Sequence, residues 1–135
     1  MSQGSRLRWL RVMLVLGGIG YVATWLLIIL FPAGFSWHPR GSHSEYMIIV
    51  IYTVLGIFLL LAARDPLRHR SLIWFSVWQA AAHGVLMAGQ AISDPAERAH
   101  LVGDVPALLV GAIIIGLLMP RGTAAESSGE ARQAA

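Results

Sequence analysis

Apolar residues occur along this chain in four long runs, and short polar segments separate the runs. The pattern predicts helices over residues 10–31, 45–63, 71–93 and 95–119. A helix of about 20 residues rises about 30 Å, which is the thickness of the hydrocarbon core of a bilayer. Because the runs are apolar on nearly all sides, they indicate transmembrane helices rather than the amphipathic helices of a water-soluble bundle.

Residues that start and stop helices mark the ends of the runs. Asp94 followed by Pro95 predicts a helix start, with Asp94 as the N-cap and Pro95 as the first helical residue. Residues 64–66, Arg-Asp-Pro, predict the end of the second helix, since the residue before a proline avoids helical backbone angles. Gly103 and Pro106 flank Asp104, and since a proline inside a helix removes a backbone hydrogen bond, they predict a kink at Gly103–Pro106 in the fourth run. The first run follows three arginines, as a signal peptide would, but it is longer than a signal core and is interpreted as an uncleaved helix.

The connections between the runs are short, which predicts an all-α fold: a four-transmembrane-helix, up-down-up-down bundle over residues 1–120. The small and polar tail, residues 121–135, is expected to be disordered. The chain has ten basic residues, all arginine, and only Arg40 and Arg98 fall in the first and third connections. The other eight lie near the chain ends or in the middle connection, which predicts that both termini are cytoplasmic.

Composition agrees with a membrane location. Hydrophobic residues make up 56% of the chain and charged residues 13%, against about 25% charged in a soluble domain. The net charge of +3 is scattered between apolar runs, which excludes a nucleic-acid-binding face and leaves the lipid bilayer as the main partner. The absence of cysteine excludes disulfides and thiolate-bound metals. The expected location is the inner (plasma) membrane of a bacterium.

Small residues predict where helices approach closely. Ala80, Gly84 and Ala88 are spaced by four in the third run and form one packing stripe. The glycine-rich residues 17–20 are also expected to serve helix packing. The neighbour of the stripe is either another helix of the chain or a second copy, so a homo-oligomer remains open.

Polar side chains inside the runs are the candidates for function. An ionisable group in a bilayer costs about 2.5–3.5 kcal/mol on insertion scales, so such groups usually face the interior of a bundle. The third run carries polar residues, together with Met87 and Asp94, on one helical face, and the fourth run carries a histidine and an aspartate four residues apart. We therefore predict an outward-facing polar pocket floored by His83. The predicted pocket residues are Glu45, Tyr52, Gln79, His83, Gln90, His100 and Asp104.

Several chemistries remain open for these residues. Glu45, His83, His100 and Asp104 offer the nitrogen and oxygen donors that a metal ion accepts, although no tight ligand motif is present. A quinone or another apolar ligand would suit His83 and Tyr52. Haem is disfavoured because His83 and His100 differ in depth by about 14 Å from helix rise alone. Alternatively, Glu45 serves as a helix cap and His100 pairs with Asp104 for structural reasons.

Several segments resemble a known but uncharacterised family of small four-span bacterial membrane proteins. They are Ala63-Arg64-Asp65-Pro66, residues 71–75 (Ser-Leu-Ile-Trp-Phe), His83-Gly84 and residues 100–106 (His-Leu-Val-Gly-Asp-Val-Pro). The resemblance covers about residues 6–119 and implies no assigned activity. More loosely, the chain is similar to DoxX-like four-helix membrane proteins, some of which accompany quinol-linked oxidoreductases. This second resemblance implies a fold and a membrane location.

Three functions follow as hypotheses. The leading one is a membrane protein whose outward-facing pocket binds a small ligand, a metal ion or protons. The second is an accessory subunit of a larger membrane complex, including a redox complex, with the polar face used for helix association. The third is a membrane enzyme or redox partner that uses the histidine and carboxylate groups. The sequence names no catalytic residue.

Overall fold

The computed structural model describes residues 2–36 and 43–120, and these residues form helices without any strand. Arg40 and the tail of residues 121–135 lie outside the described residues. The helical segments, in chain order, are α1 (Gln3–Val22), α2 (Thr24–Leu30), α3 (Pro32–Phe35), α4 (His43–Ala62), α5 (Arg70–Ser93), a 3-10 helix (Pro95–Val102) and α6 (Asp104–Leu118).

Three stretches of the described chain are each long and apolar enough to cross a membrane: α4, α5 and the 3-10 helix taken together with α6. A fourth arises if α1 and α2 are one span, but they meet at an angle of 57°. The prediction of one continuous helix over residues 10–31 is therefore wrong at this point. The Thr24 hydroxyl donates a hydrogen bond of 3.2 Å to the Gly20 carbonyl, and back-bonding of this kind beside a glycine bends helices.

The fourth predicted helix is also divided. The carboxylate of Asp94 accepts a 2.9 Å hydrogen bond from the Ala96 amide, which confirms Asp94 as the N-cap. The segment that Asp94 caps, however, is a 3-10 helix rather than the start of a long α-helix.

The break in this span lies at Gly103, within the predicted kink at Gly103–Pro106, but the proline is not its cause. Pro106 is the third residue of α6, where backbone amides have no acceptor in the helix, so the proline removes no hydrogen bond. Gly103 lies against α3, and a Cβ at this position would collide with the carbonyl oxygen of Gly34. The approach of α3 to the 3-10 helix therefore requires glycine at residue 103.

The long helices associate as two pairs, α1 with α4 and α5 with α6. Between α1 and α4 the backbones nearly touch, since a Cβ at Gly56 would lie 2.6 Å from the carbonyl oxygen of Gly18. Between α5 and α6, a Cβ at Gly84 would lie 2.9 Å from Cδ2 of Leu109. Gly84, the middle residue of the small-residue stripe, thus packs on α6 of the same chain. Contact between the pairs is less extensive, and α4 barely touches α5 although they are consecutive.

The pairs meet at one end of the bundle, which we call the arginine end. There the Arg6 guanidinium donates to the Leu117 carbonyl, and the Arg70 guanidinium donates to the Pro120 carbonyl at 2.8 Å. The last carbonyls of a helix lack partners within the helix and form the negative end of its dipole, so arginine stabilises them. The hydrophobic core includes side chains of this half: Leu10, Leu14, Leu59, Ala62, Ile73, Ile115 and Met119.

Gly56→Ala tests the close approach of α1 and α4. We expect the free energy of unfolding to fall by about 1–3 kcal/mol, because the added methyl group is forced against the Gly18 carbonyl. The measurement is reversible unfolding in detergent followed by circular dichroism. Gly89→Ala is the matched control, since Gly89 is helical with no atom within 4 Å of a built Cβ. Equal effects of the two changes would contradict the packing described here.

Arg70→Gln tests the arginine end. The variant loses a charged hydrogen bond to the end of α6, and we expect the free energy of unfolding to fall by about 1 kcal/mol. Arg68→Gln is the control, because Arg68 is exposed and only its backbone amide is bonded, to Asp65. If both variants unfold alike in the same detergent assay, Arg70 does not hold α6.

Candidate ligand-binding cavity

Away from the arginine end, the two helix pairs diverge and enclose a cavity of about 860 Å³. All six α-helices contribute to its lining, including Leu27 and Ile28 of α2 and Phe35 of α3. The wall is mainly apolar, and a few polar side chains interrupt it. Sites for small molecules usually have this character and a volume of about 300–1,000 Å³.

Aromatic and polar side chains form a layer across the cavity, whose lining continues past them toward the arginine end as far as Leu59, Ser76 and Ile115. The ring centroids of Tyr21 and Tyr52 are 4.9 Å apart, and those of Tyr52 and His83 are 5.6 Å apart, edge to face. The Tyr21 hydroxyl donates a 3.3 Å hydrogen bond to Oε1 of Gln79. These contacts join α1, α4 and α5, and we call this layer the floor.

Tyr52 has a further property that concerns binding. Its side chain is only 9% exposed, and its ring lines the cavity. Gln79 approaches the hydroxyl as a hydrogen-bond partner, but their contact falls outside normal hydrogen-bond geometry. A buried hydroxyl whose hydrogen bond is poorly formed costs stability, so a polar atom of a bound ligand would stabilise it.

A second group of polar side chains lies about seven residues, or about 10 Å, further from the arginine end. Glu45 near the start of α4, Gln90 near the end of α5 and Asp104 at the start of α6 all line the cavity. Glu45 is 8% exposed, so it faces the interior of the bundle. We call these three residues the rim.

Asp104 is held in place by His100, which does not line the cavity. Its Oδ1 lies 2.9 Å from Nδ1 of His100, and Nε2 of His100 lies 3.2 Å from Oε2 of Glu97. His100 is fully buried and does not line the cavity itself. A doubly protonated imidazole donates to both carboxylates, whereas a neutral one donates to only one of them. The bridge fixes the rim carboxylate relative to the 3-10 helix.

Glycine residues, which have no side chain, keep part of the cavity open. Gly17 and Gly20 of α1 and Gly111 of α6 line it, and a Cβ at any of the three would meet no atom within 4 Å. Their neighbour Gly18 has the contrasting role of contacting α4. The expected packing function of residues 17–20 therefore holds for Gly18, while Gly17 and Gly20 border the cavity.

The cavity extends to the outside of the bundle along the two seams between the helix pairs. Leu16 of α1, Ile48 of α4 and Leu86 of α5 line it, yet they are 57%, 41% and 60% exposed. One seam lies between α4 and α5, which barely touch. The other lies between α1 and α6, where Ala107 is both exposed and part of the lining.

The structure brings together most of the residues that the sequence singled out. Five of the seven predicted pocket residues line the cavity: Glu45, Tyr52, His83, Gln90 and Asp104. Gln79 belongs to the floor through Tyr21, and His100 lies behind Asp104. Asp94, expected on the same face as Gln90, is exposed and caps the 3-10 helix instead. That these residues bind a ligand stays a prediction.

The described residues do not provide the set of ligands that the metal hypothesis requires. Within residues 2–36 and 43–120, no group of three or more histidine, aspartate and glutamate side chains is arranged to hold a metal ion. Glu45, His83, His100 and Asp104 are all among these residues. They share one region of the bundle without converging on a single point.

Two residues of the site are not among the predicted pocket residues. Tyr21 lies in an apolar run where a tyrosine is not distinctive, and only the fold shows that it contacts Tyr52 and Gln79. Glu97, in the first turn of the 3-10 helix, is 5% exposed, and its Oε2 lies 3.2 Å from Nε2 of His100. The spacing of three between Glu97 and His100 is a signal that was available in the sequence.

Comparison with curated proteins gives no match, and comparison with solved structures gives none either. No finding links the chain to DoxX-like proteins. One family of unknown function, DUF6632, matches residues 4–135. The match spans nearly the whole chain, including every residue of the floor and the rim, and it confirms the resemblance to an uncharacterised family. The chain is a member of DUF6632, a family of unknown function.

Proposed function

We propose that the protein is an integral membrane protein that binds a small, largely apolar ligand between its two helix pairs. The observation that carries the proposal is the cavity of about 860 Å³, which is apolar along its walls and polar at its floor and rim. In sites of this kind, apolar walls supply most of the affinity and a few polar groups fix the orientation of the ligand.

The exposed surface supports a membrane location. Large apolar side chains cover the outside of α5 and α6, with Trp78 70%, Phe75 61% and Leu117 62% exposed. A water-soluble monomer rarely exposes a continuous apolar surface of this extent, whereas lipid accommodates it. The arginine end would face the cytoplasm of a bacterium, following the positive-inside rule.

The seams suggest how a ligand arrives. Leu16, Ile48 and Leu86 line the cavity and are also exposed. In a bilayer both seams face hydrocarbon, so an apolar molecule dissolved in the membrane reaches the cavity without crossing water. Rotation of these side chains is enough to widen the seams, since side chains at exposed positions change rotamer within nanoseconds.

A small photoreactive alcohol, an octanol that carries a diazirine, tests this proposal. The protein is placed in lipid nanodiscs and irradiated, and mass spectrometry locates the labelled residues. We expect labelling of cavity residues in α6, and we expect Gly111→Leu to reduce it several-fold because the leucine side chain occupies the cavity. Gly17→Leu fills the cavity from α1 and is expected to act in the same way.

Gly89→Leu is the matched control. Gly89 is also helical, with no atom within 4 Å of a built Cβ, but it is absent from the cavity lining. The three variants therefore carry the same chemical change and differ in whether it enters the cavity. Unchanged labelling of α6 in Gly111→Leu and Gly17→Leu, with all variants folded by circular dichroism, would exclude the cavity as a binding site.

A further inference from the structure

Resting on the proposed binding function, we infer that the ligand of this cavity has one long alkyl chain, which lies parallel to the helices, and a hydrogen-bonding head, which lies at the rim. Three features of the cavity support the inference: its length along the bundle, a passage beside the floor, and the opposite character of its two ends.

The cavity is elongated along the axis of the bundle. On α4 its lining extends from Glu45 to Leu59, and on α5 it extends from Gln90 to Ser76. Each stretch advances 14 positions along its helix, a rise of about 21 Å. One leaflet of a bilayer contributes about 15 Å of hydrocarbon, which is half of the core thickness. The cavity is therefore long enough for an alkyl chain of ordinary membrane length, whereas a compact molecule would fill only part of it.

A passage beside the floor joins the two halves of this length. The side chains of the floor come from α1, α4 and α5. On α6, Gly111 follows Asp104 by seven positions, as Tyr52 follows Glu45 on α4, so Gly111 lies at about the depth of the floor. Gly111 lines the cavity, and a Cβ at this position would meet no atom within 4 Å. An alkyl chain can therefore pass between the floor and α6.

The end of the cavity nearest the arginine end is enclosed and apolar. Leu59 and Ile115 line it, are 1% and 8% exposed, and belong to the hydrophobic core. Ser76 also lines this end, but its hydroxyl already donates a 2.8 Å hydrogen bond to the Ile73 carbonyl. Burying a polar group without a hydrogen bond is costly, so this end suits the terminus of an alkyl chain and disfavours a polar head.

The opposite end of the cavity is polar and open. Ser44 and Gln90 line the cavity there and are exposed, and their hydroxyl and amide groups both donate and accept hydrogen bonds. Both lie in the terminal turns of α4 and α5, where the hydrocarbon of a bilayer gives way to lipid head groups. A hydroxyl or amide head at the rim therefore has hydrogen-bond partners and keeps its contact with water.

The seams suit a ligand in this orientation. Transmembrane helices tilt by only about 20° on average from the bilayer normal, and the chains of membrane amphiphiles also lie along the normal. Such a molecule enters sideways past Leu86 or Ile48, which line the cavity and are exposed. Its head stays at the depth of the head groups and its chain stays in hydrocarbon throughout.

A series of hexadecanol probes tests the inference. Each probe carries one diazirine, placed near the hydroxyl, at mid-chain or near the far end, and the protein is held in nanodiscs. Lipid-facing residues are also labelled in order of depth, so labelling of each cavity residue is divided by that of an exposed residue of the same helix that does not line the cavity. The pairs are Gln90 with Ile92, Ser76 with Phe75 and Ile115 with Leu117.

We expect the normalised labelling of Gln90 to be several-fold higher with the diazirine near the hydroxyl than with the diazirine near the far end. For Ser76 and Ile115 we expect the opposite order. Gly111→Leu should lower the normalised labelling of Ile115 by the far-end probe several-fold, because the leucine side chain obstructs the passage. Gly89→Leu is the matched control, since Gly89 is helical, meets no atom within 4 Å of a built Cβ and does not line the cavity.

A phosphatidylcholine that carries the same diazirines in one of its chains identifies the source of the alkyl chain. If this lipid and hexadecanol label the cavity in the same order, the site holds one chain of a membrane lipid. If only hexadecanol shows the order, the site holds a free amphiphile with a single chain. Both results agree with the inference.

The remaining outcomes separate this inference from the proposed function. If the octanol probe labels the cavity but neither far-end probe labels Ser76 or Ile115, the long chain is excluded while the binding function stands. Far-end labelling concentrated at Gln90 excludes the orientation, and unchanged labelling of Ile115 in folded Gly111→Leu excludes the passage. Absence of cavity labelling by every probe, octanol included, excludes the binding function itself. If Gly111→Leu fails to fold, the order of labelling in the unmodified protein still decides.

Discussion

At Gly18 and Gly56 the backbones of α1 and α4 come so close that no side chain fits between them. This contact directs α1 toward α4 along most of its length, so α1 meets α6 mainly at the arginine end. The neighbouring Gly17 and Gly20 then face a gap instead of a partner helix. One short glycine-rich segment therefore both joins a helix pair and leaves the space beside it.

The pair of α5 and α6 also depends on a glycine that permits close approach, but here the glycine contacts side chains rather than backbone. Gly84 of α5 admits side chains of α6, while Arg6 donates to the Leu117 carbonyl in the last turn of α6 and Arg70 donates to the Pro120 carbonyl just after it. In lipid, apolar surfaces gain little from mutual burial, so close packing and hydrogen bonds carry helix association. The bundle is therefore fastened at the arginine end, and the far half is free to enclose a cavity.

The sequence predicted the features that depend on local composition. Run length and apolar character predicted the spans, and Asp94 with Pro95 predicted a helix start that the structure confirms. The bend after Val22 was missed, because it depends on a side-chain bond to the backbone. The break at Gly103 was predicted but attributed to Pro106, since the contact with Gly34 is distant in sequence. Pro106 was misjudged because its effect depends on its position within the helix.

In the candidate site, too, the residue types were predictable from the sequence, while their arrangement in space was not. The cost of polar groups in lipid correctly directed attention to His83, Gln90 and Asp104, which line one cavity. Their distances were not predictable, because they depend on how two helix pairs diverge. The spacings of three and four residues indicate that His100 can pair with Glu97 and Asp104, but the position of His100 outside the cavity lining depends on the fold.

The central claim is that the half of the bundle away from the arginine end encloses a space that an apolar molecule enters from the membrane. Since the chain contains no cysteine, a single introduced thiol reports on this space without background. Gly111→Cys should react with N-ethylmaleimide in nanodiscs, and adding Gly17→Leu should suppress the reaction by filling the cavity. Ala62→Cys, at a fully buried core position, should stay unreactive. A thiol at residue 111 that does not react, or that reacts equally with and without Gly17→Leu, would contradict the claim.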